Sequence, residues 1–154
     1  AVIAAAAQGS ASDQQQMTSY YRADIARLTE VELVARQLWA QSGLTPADIQ
    51  TAVIYDHFTP LVLMQLEAYG FCDRGAAPQF VRDGQIGLSG CLPVNTHGGQ
   101  LGEGYIHGMN GIAEAVRQIR GTSCNPVAAV EHVLVTAGTG VPTSALILGR
   151  DARR

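Results

Sequence analysis

A glycine-rich stretch at 95–121 holds the side chains best suited to chemistry. His97, Tyr105 and His107 can exchange protons or donate hydrogen bonds, and five glycines lie at 98–108 around them. An amphipathic helix is predicted at its end, because apolar residues recur there at spacings of three and four: Ile106, Met109, Ile112, Ala113, Val116 and Ile119. The loop's backbone N–H groups and the positive end of the helix would point at one place. We therefore predict a site for an anion or a developing oxyanion.

Two other segments place polar or glycine residues directly after apolar runs. The run TAVIY ends with Tyr55 and continues into Asp56 and His57. The run HVLVT leads to a turn that contains Gly138 and Gly140. Strand ends and the loops that follow them converge on one cleft in layered α/β folds. We therefore expect these two segments to meet the glycine-rich stretch in a single site.

The order of the apolar patterns predicts one α/β domain over residues 1–154. Four apolar runs predict strands, at 2–7, 51–55, 132–136 and 144–148. Helices are predicted in three places: from a capping box of Thr29 and Glu32 to Gly43, from Thr59 to Gly70, and at the end of the glycine-rich stretch. The last two strands flank a glycine turn, which favours an antiparallel hairpin. The expected architecture is a mixed sheet with helices on its faces.

Two glycines fall inside the third predicted helix. Each of Gly108 and Gly111 costs about 1 kcal/mol relative to alanine in a helix interior. Such glycines are usually explained by the close packing of another group. We therefore expect a backbone or a ligand to approach this part of the helix closely.

The composition limits the chemistry and the partners. The net charge is −3 and no basic run occurs, which argues against nucleic acid as a main partner. All ten basic residues are arginine, so a Schiff base on lysine is excluded. Hydrophobic residues make up 47% of the chain and charged residues only 15%, which favours burial against further protein.

The cysteine pattern and the N-terminal segment predict a cytoplasmic protein without a membrane span. Cys72, Cys91 and Cys124 form no CxxC pair, which favours free thiols in a reducing compartment. The N-terminal AVIAAAA is too short to cross a membrane and has no basic leader. The histidines and Cys91 lack the paired spacings of zinc sites, so no metal is expected.

Three motifs carry a resemblance to the thiolase family. NTHGGQLGEGYIHGMNG resembles that family's NVNGGAIALGHPLGASG pattern, YDHF stands where the family has NEAF, and TAGTG stands where it has CxGxG. The resemblance covers most of the chain. It implies the C-terminal half of a thiolase-like layered fold, which is one half of an αβαβα sandwich. The implied partners are an N-terminal thiolase half and a second copy in a homodimer.

The chemical residues of thiolases are replaced in this chain. The family's GHP histidine falls on Tyr105, and its C-terminal cysteine falls near Ala137. Neither the Asn nor the Glu of NEAF is retained in YDHF, the segment that holds Asp56 and His57. The nucleophilic cysteine belongs to the N-terminal half of the family. The Claisen chemistry of thiolases is therefore not expected from these residues.

A narrower resemblance is to the bacterial lipid-transfer-protein branch, which is related to the thiolase domain of sterol carrier protein x. YDHFTP, NTHGGQLGEGYIHGMNG and VLVTAGTGVPTS carry it. Characterised members of that branch are retro-aldolases that shorten steroid side chains held as CoA thioesters, and they work with an OB-fold partner. The resemblance therefore implies cleavage of a β-hydroxy acyl-CoA with release of propionyl-CoA. Coenzyme A would be part of the substrate, and no separate cofactor is implied.

A retro-aldol cleavage needs no covalent nucleophile. It needs a base for the β-hydroxyl proton, a site that stabilises the enolate of the thioester, and an acid that protonates the enolate carbon. On this interpretation Tyr105 and Tyr55 shuttle protons. A tyrosine base needs its pKa of about 10 lowered by a neighbour, for which His57 is the candidate. Asp56 completes the catalytic candidates.

The same interpretation assigns the thioester to the glycine loops and the polar side chains beside them. The binding candidates are Asn95, His97, Gly98, Gly99, His107, Gly138 and Gly140. Structural roles remain possible for several candidates. A tyrosine can be buried in the core, Asp56 can cap a helix, and Asn95 can form hydrogen bonds within its loop. Two other functions also stay open: a non-catalytic acyl-CoA or sterol-binding scaffold, and an acyltransferase whose reactive cysteine lies in the N-terminal half.

Overall fold

The computed structural model describes residues 1–14, 20–104, 106–140 and 143–151. The predicted proton carrier Tyr105 therefore lies outside the described residues. The strands are β1 (Val2–Gly9), β2 (Thr51–Val53), β3 (His132–Ala137) and β4 (Thr143–Gly149). The helices are α1 (Thr29–Ser42), α2 (Thr59–Ala68), α3 (Ala77–Arg82), α4 (Gly99–Gly102) and α5 (Met109–Arg120), with a 3-10 turn at Pro46–Asp48.

The four strands form one mixed sheet in the order β1–β4–β3–β2. β4 pairs antiparallel with both β1 and β3, while β2 pairs parallel with β3. The predicted hairpin of the last two strands is thus confirmed. An isolated bridge from Ala52 to Val94 extends the sheet beyond β2 and brings the glycine-rich stretch to that edge.

Helices cover both faces of the sheet, as predicted. Along β3 the side chains alternate, so that Leu134 enters a core with α1 and α2 while Val133 and Val135 enter a core with α5. Both cores are buried: Leu134 of the first core and Val133 of the second each have 0% exposed surface. The sheet is therefore a fixed platform whose strand ends position the site.

The predicted capping box at the start of α1 is wrong. Thr29 lies inside the helix and the preceding residue, Leu28, makes no side-chain cap. Glu32 instead accepts hydrogen bonds from the Arg27 guanidinium, at 2.8 Å for the shortest. Because Arg27 binds the carboxylate of Glu32, that carboxylate is not available to cap the helix start. The end of the helix is as predicted, since Gly43 takes a φ of +71° and donates to the carbonyl of Trp39.

The third predicted helix begins later than its apolar pattern indicates. α5 starts at Met109, so Ile106 lies outside it, and Gly108 precedes it with a φ of +82° rather than lying in its interior. A left-handed φ at a helix start suits glycine because it has no Cβ. A close approach is found at Gly111, but the group is a side chain rather than the predicted backbone or ligand, since a Cβ there would come within 2.9 Å of Val53 Cγ1.

Two short helices were absent from the sequence prediction. α3 lies within a stretch without clear periodicity, and Pro78 in its first turn is the one local signal for it. α4 consists of GQLG, a composition that disfavours helix. It is held instead by the carboxylate of Asp56, which accepts a hydrogen bond from the backbone amide of Gln100.

Candidate active site

Asn95 joins the glycine-rich stretch to the end of β2. Its side-chain Oδ1 accepts a hydrogen bond from the Ile54 amide at 2.8 Å, and its Nδ2 donates to the Ile54 carbonyl at 2.9 Å. Its own backbone amide donates to the carbonyl of Ala52. The side chain thus continues the strand pairing around a backbone bend, with a φ of +53° that asparagine tolerates better than most residues. In this structure Asn95 fixes the loop.

Asp56 anchors α4 from 44 positions earlier in the sequence. Its buried carboxylate accepts a hydrogen bond from the backbone amide of Gln100 at 2.7 Å. Gly99 leaves the space for that carboxylate, since a Cβ there would lie 2.1 Å from Asp56 Oδ2. Gly98 and Gly99 both have positive φ, of +101° and +71°. The two predicted glycines therefore shape a loop that accommodates the carboxylate of Asp56.

A buried glutamine fixes the backbone of Tyr55. Gln65 Nε2 donates to the Tyr55 carbonyl at 2.8 Å, and Gln65 Oε1 accepts a hydrogen bond from Thr136 Oγ1 at 2.7 Å. Thr136 Oγ1 in turn accepts the Tyr55 amide at 2.8 Å. Tyr55 is thereby bound to both α2 and β3. The sequence analysis did not identify Gln65 or Thr136, and the one signal was that Gln65 interrupts the apolar run at 60–66.

His57 connects the first segment to the third. Its ring lies 4.8 Å from the ring of Tyr55 and 5.0 Å from that of Phe58, measured between centroids. Its Nε2 lies 3.4 Å from the hydroxyl oxygen of Thr139. Partial burial lowers the pKa of His57 below its ordinary value, which favours the neutral ring. The Tyr55 segment thus contacts both of the other segments, through Ile54 and Asn95 and through His57 and Thr139.

A hydroxyl at the start of β4 holds the bend that follows β3. Gly138 takes a φ of +73°, and the Gly140 carbonyl accepts a hydrogen bond from Thr143 Oγ1 at 2.7 Å. The two predicted glycines thus flank Thr139 in a bend that lies beside His57. Thr139, between them, supplies the hydroxyl that reaches the imidazole, and the sequence analysis did not single it out.

His97 is enclosed under the glycine-rich loop. Only 3% of its side chain is exposed, and its Nε2 lies 3.7 Å from Glu103 Oε2. Asn110, at the start of α5, donates to the same carboxylate oxygen at 3.1 Å. Glu103 and Asn110 were missed by the sequence analysis, since a glutamate among glycines reads as a solvated loop residue.

His107 lies apart from the other histidines, at the entrance of α5. It is exposed, with a φ of +46°, and lines a cavity of about 430 Å³ between the start of α5 and the sheet. Val135 and Ala137 of β3 and Ser144 of β4 line the same cavity. The end of β3 therefore borders both this cavity and, through Thr136, the Tyr55 segment.

A second polar cluster supports the loop from the side of α5. The carboxylate of Glu114, 1% exposed, accepts hydrogen bonds from the hydroxyls of Thr96 and Ser123 and from the amide of Gln118, at 2.5, 2.8 and 2.8 Å. Asn125 Nδ2 donates to the Thr96 carbonyl at 2.7 Å. This cluster holds the residue directly before His97.

Among residues 1–14, 20–104, 106–140 and 143–151, no group of three or more histidine, cysteine or acidic side chains could hold a metal ion. No helix in the same part of the chain is long and apolar enough to cross a membrane.

Comparison with known protein families matches residues 9–150 to the thiolase C-terminal domain-like family. The chain belongs to this family. The resemblance inferred from the motifs is thereby confirmed, and so is the layered α/β class.

Two curated relatives are similar over nearly the whole chain. The chain is 72% identical over 148 residues to the 17-hydroxy-3-oxo-4-pregnene-20-carboxyl-CoA lyase of Mycobacterium tuberculosis. The matched residues are 96% of this chain and 38% of that lyase. It is 66% identical over 151 residues to the steroid side-chain-cleaving aldolase of Thermomonospora curvata. The matched residues are 98% of this chain and 39% of that aldolase. The chain thus spans about two fifths of the length of these relatives.

A solved structure has the same fold. The Ltp2-ChsH2(DUF35) aldolase matches with a TM-score of 0.94 and 65% identity, over 98% of this chain and 40% of the matched chain. The narrower resemblance to steroid side-chain aldolases is confirmed by these three proteins.

Proposed function

We propose that this chain is the C-terminal, thiolase-like part of a carbon–carbon lyase. The reaction is the retro-aldol cleavage of a β-hydroxy acyl-CoA, with a steroid side chain as the acyl group and propionyl-CoA as one product. The observation that carries the proposal is 72% identity over 148 residues to a protein named as a lyase of that class. At such identity the residues around a site are mostly retained.

In the proposed reaction, Tyr105 and Tyr55 move the protons. One hydroxyl takes the β-hydroxyl proton as the carbon–carbon bond breaks, and the other protonates the enolate carbon. The fixed backbone of Tyr55, held by Gln65 and Thr136, supports its role, because a proton carrier must keep its geometry. In the sequence, Tyr105 follows Gly104 and precedes α5, which begins at Met109.

His57 assists Tyr55 in this scheme. Its ring lies within 4.8 Å of the Tyr55 ring, and burial favours its neutral form. A neutral imidazole can accept a proton or a hydrogen bond at one nitrogen while donating at the other. The contact with Thr139 gives the ring a defined orientation. Asp56 contributes by holding α4, through its bond to the Gln100 amide.

The glycine loops and their neighbours bind the thioester. A loop rich in backbone donors stabilises an enolate oxygen because the donors are already oriented before the charge develops. The residues assigned to this task are Asn95, His97, Gly98, Gly99, His107, Gly138 and Gly140. Coenzyme A enters as part of the substrate, and the reaction needs no separate cofactor. The cavity beside His107 offers about 430 Å³ for part of the acyl chain.

The working protein includes further chains or domains. An N-terminal thiolase half would pack with this one, and two such units would form a homodimer. The relatives being more than twice as long as this chain supports a second half. The solved relative is named as an Ltp2-ChsH2(DUF35) aldolase, and the second component in that name supports a partner protein, for which we propose an OB fold. The proposed location is the cytoplasm.

The test uses the full-length protein together with its partner. A 17-hydroxy steroid side-chain CoA thioester is added, and the release of propionyl-CoA is followed by chromatography. Release in proportion to enzyme supports the lyase. Tight binding of the thioester without release would instead favour the acyl-CoA-binding scaffold. Loss of turnover on alkylation of a reactive cysteine would point to the acyltransferase.

A further inference from the structure

Glu103 connects the turn that carries His97 with the first turn of α5. Its Oε2 accepts a hydrogen bond from Asn110 Nδ2 at 3.1 Å and lies 3.7 Å from His97 Nε2. The His97 side chain is 3% exposed, whereas that of Glu103 is 36% exposed. The carboxylate therefore lies between an amide that fixes it and an enclosed imidazole that it can orient.

Both ring nitrogens of the imidazole are buried. In the part of the chain that the structure describes, neither ring nitrogen of His97 has a hydrogen-bond partner, and Asn110 Oδ1 and Gln100 Oε1 lack one as well. A buried polar atom without a partner costs about 1–3 kcal/mol. Glu103 is placed to satisfy Nε2 after a shift of under about 1 Å, within ordinary side-chain motion. Nδ1 is left for another oxygen.

We propose that Glu103 is a positioning residue for the aldol cleavage, and that it acts through His97. The carboxylate, held by Asn110, turns Nε2 of the ring towards itself and leaves Nδ1 to the oxygen of the thioester. The inference rests on the proposed function. It adds Glu103 and Asn110, which the sequence motifs do not assign, and it gives His97 a defined orientation.

The arrangement suits the charge that the reaction creates. When the carbon–carbon bond breaks, its electron pair passes to the α-carbon and the thioester oxygen, and the β-hydroxyl proton leaves to a base. The negative oxygen then faces Nδ1 while the carboxylate of Glu103 faces Nε2. The proposal therefore requires the imidazolium form of His97, in which Nε2 donates to the carboxylate and Nδ1 donates to the enolate oxygen. The ring holds both protons before the bond breaks and keeps them, so it takes no part in the transfer of the β-hydroxyl proton. The contact becomes strong only as the enolate forms, so it stabilises the transition state more than the bound substrate.

Kinetics of the full-length protein with its partner test the inference. Glu103→Gln keeps the shape and removes the charge, and we expect kcat to fall about tenfold to a hundredfold with KM little changed. Glu103→Asp should recover part of the rate. Asn110→Ala should lower kcat in the same direction and by less. Glu131→Gln is the matched control, because that exposed carboxylate pairs with Arg150 instead, and its kcat should equal that of the wild type.

A double variant separates orientation of His97 from a general effect on the fold. If Glu103 acts through the ring, then Glu103→Gln in a His97→Gln background should change kcat by less than about twofold. Thermal unfolding of each variant shows whether the chain remains folded. Effects that multiply in the double variant, an unchanged kcat in Glu103→Gln, or a raised KM with normal kcat would each overturn the inference.

A measurement without turnover distinguishes failure of this inference from failure of the proposed function. In full-length protein labelled with ¹⁵N-histidine, Glu103→Gln should shift the ring ¹⁵N resonances of His97, whereas Glu131→Gln should leave them in place. Unmoved His97 resonances would overturn the inference even if the lyase reaction is confirmed. Shifted resonances in a protein that releases no propionyl-CoA would support the His97–Glu103 contact and reject the reaction.

Discussion

The two sides of the loop at 95–104 differ in how their buried polar groups are paired. Towards the middle of α5, the carboxylate of Glu114 accepts three hydrogen bonds, and Gln118 uses both ends of its amide, donating to Thr96 and accepting from Val127. Towards the start of α5, His97, Gln100 and Asn110 carry buried atoms that lack partners among the described residues. The two clusters are neighbours along the chain, since Thr96 belongs to one and His97 to the other.

The difference indicates which cluster is scaffold and which one meets a ligand. A saturated network is rigid, and changing it costs stability because each remaining donor loses its acceptor. A cluster whose buried polar atoms lack partners is less stable than the same cluster fully hydrogen-bonded. Such unpaired atoms are found where a substrate or a water molecule supplies the missing hydrogen bond. Among the described residues, the loop is therefore fully hydrogen-bonded on the side of Glu114 and has unpaired polar atoms on the side of His97, where a ligand could pair with them.

The largest expected loss of stability is in the saturated cluster. Glu114→Ala leaves the hydroxyls of Thr96 and Ser123 and the amide of Gln118 without their shared acceptor, and it opens a cavity. We expect the free energy of unfolding to fall by about 3–5 kcal/mol. Glu114→Gln keeps one oxygen acceptor and should lose less. Urea unfolding of both variants checks this, and equal losses would mean that the acceptor is not what stabilises the loop.

A smaller loss is expected where the loop meets Asp56. Gly99→Ala places a methyl group 2.1 Å from Asp56 Oδ2 and requires a φ of +71° from alanine. The backbone conformation alone costs about 1–2 kcal/mol. Gly102→Ala is the control, because nothing lies within 4 Å of its Cβ position. Urea midpoints of the two variants should differ clearly. If they coincide, α4 does not depend on the Asp56 contact.

The smallest effect concerns His57 and pH. Because burial lowers its pKa in the folded protein, the unfolded chain takes up a proton first as the pH falls below about 6.5. The folded state is therefore penalised between that pH and the lower folded value, and stability falls there as the pH drops. We expect His57→Gln to lose less stability than the wild type between neutral pH and that window. Equal losses in urea midpoints would contradict burial of the ring.

Much of the fold followed from the sequence because it depends on local patterns. The apolar runs that became β2, β3 and β4 and the glycine that ends α1 are set by residues close to each other in the chain. The meeting of the Tyr55, Asn95 and Gly138 segments followed from a general property of strand ends. These predictions needed no knowledge of individual contacts.

The pairings that hold the site could not be predicted in the same way. Gln65 reaches Thr136 across 71 positions, and Asp56 reaches Gln100 across 44. No spacing rule links such residues. The capping box at Thr29 failed for a related reason, since Arg27 takes the glutamate that the local pattern assigns to the helix start.

The account depends most on Tyr105 as a carrier of protons in a thioester cleft. The direct measurement is propionyl-CoA release by the full-length protein and its partner, with Tyr105→Phe compared with the wild type. We expect kcat to fall by a factor of about 10² to 10⁴, with the thermal unfolding midpoint unchanged. A Tyr105→Phe rate within about twofold of the wild type would contradict the account, because a proton carrier of this kind cannot be replaced by phenylalanine without such a loss.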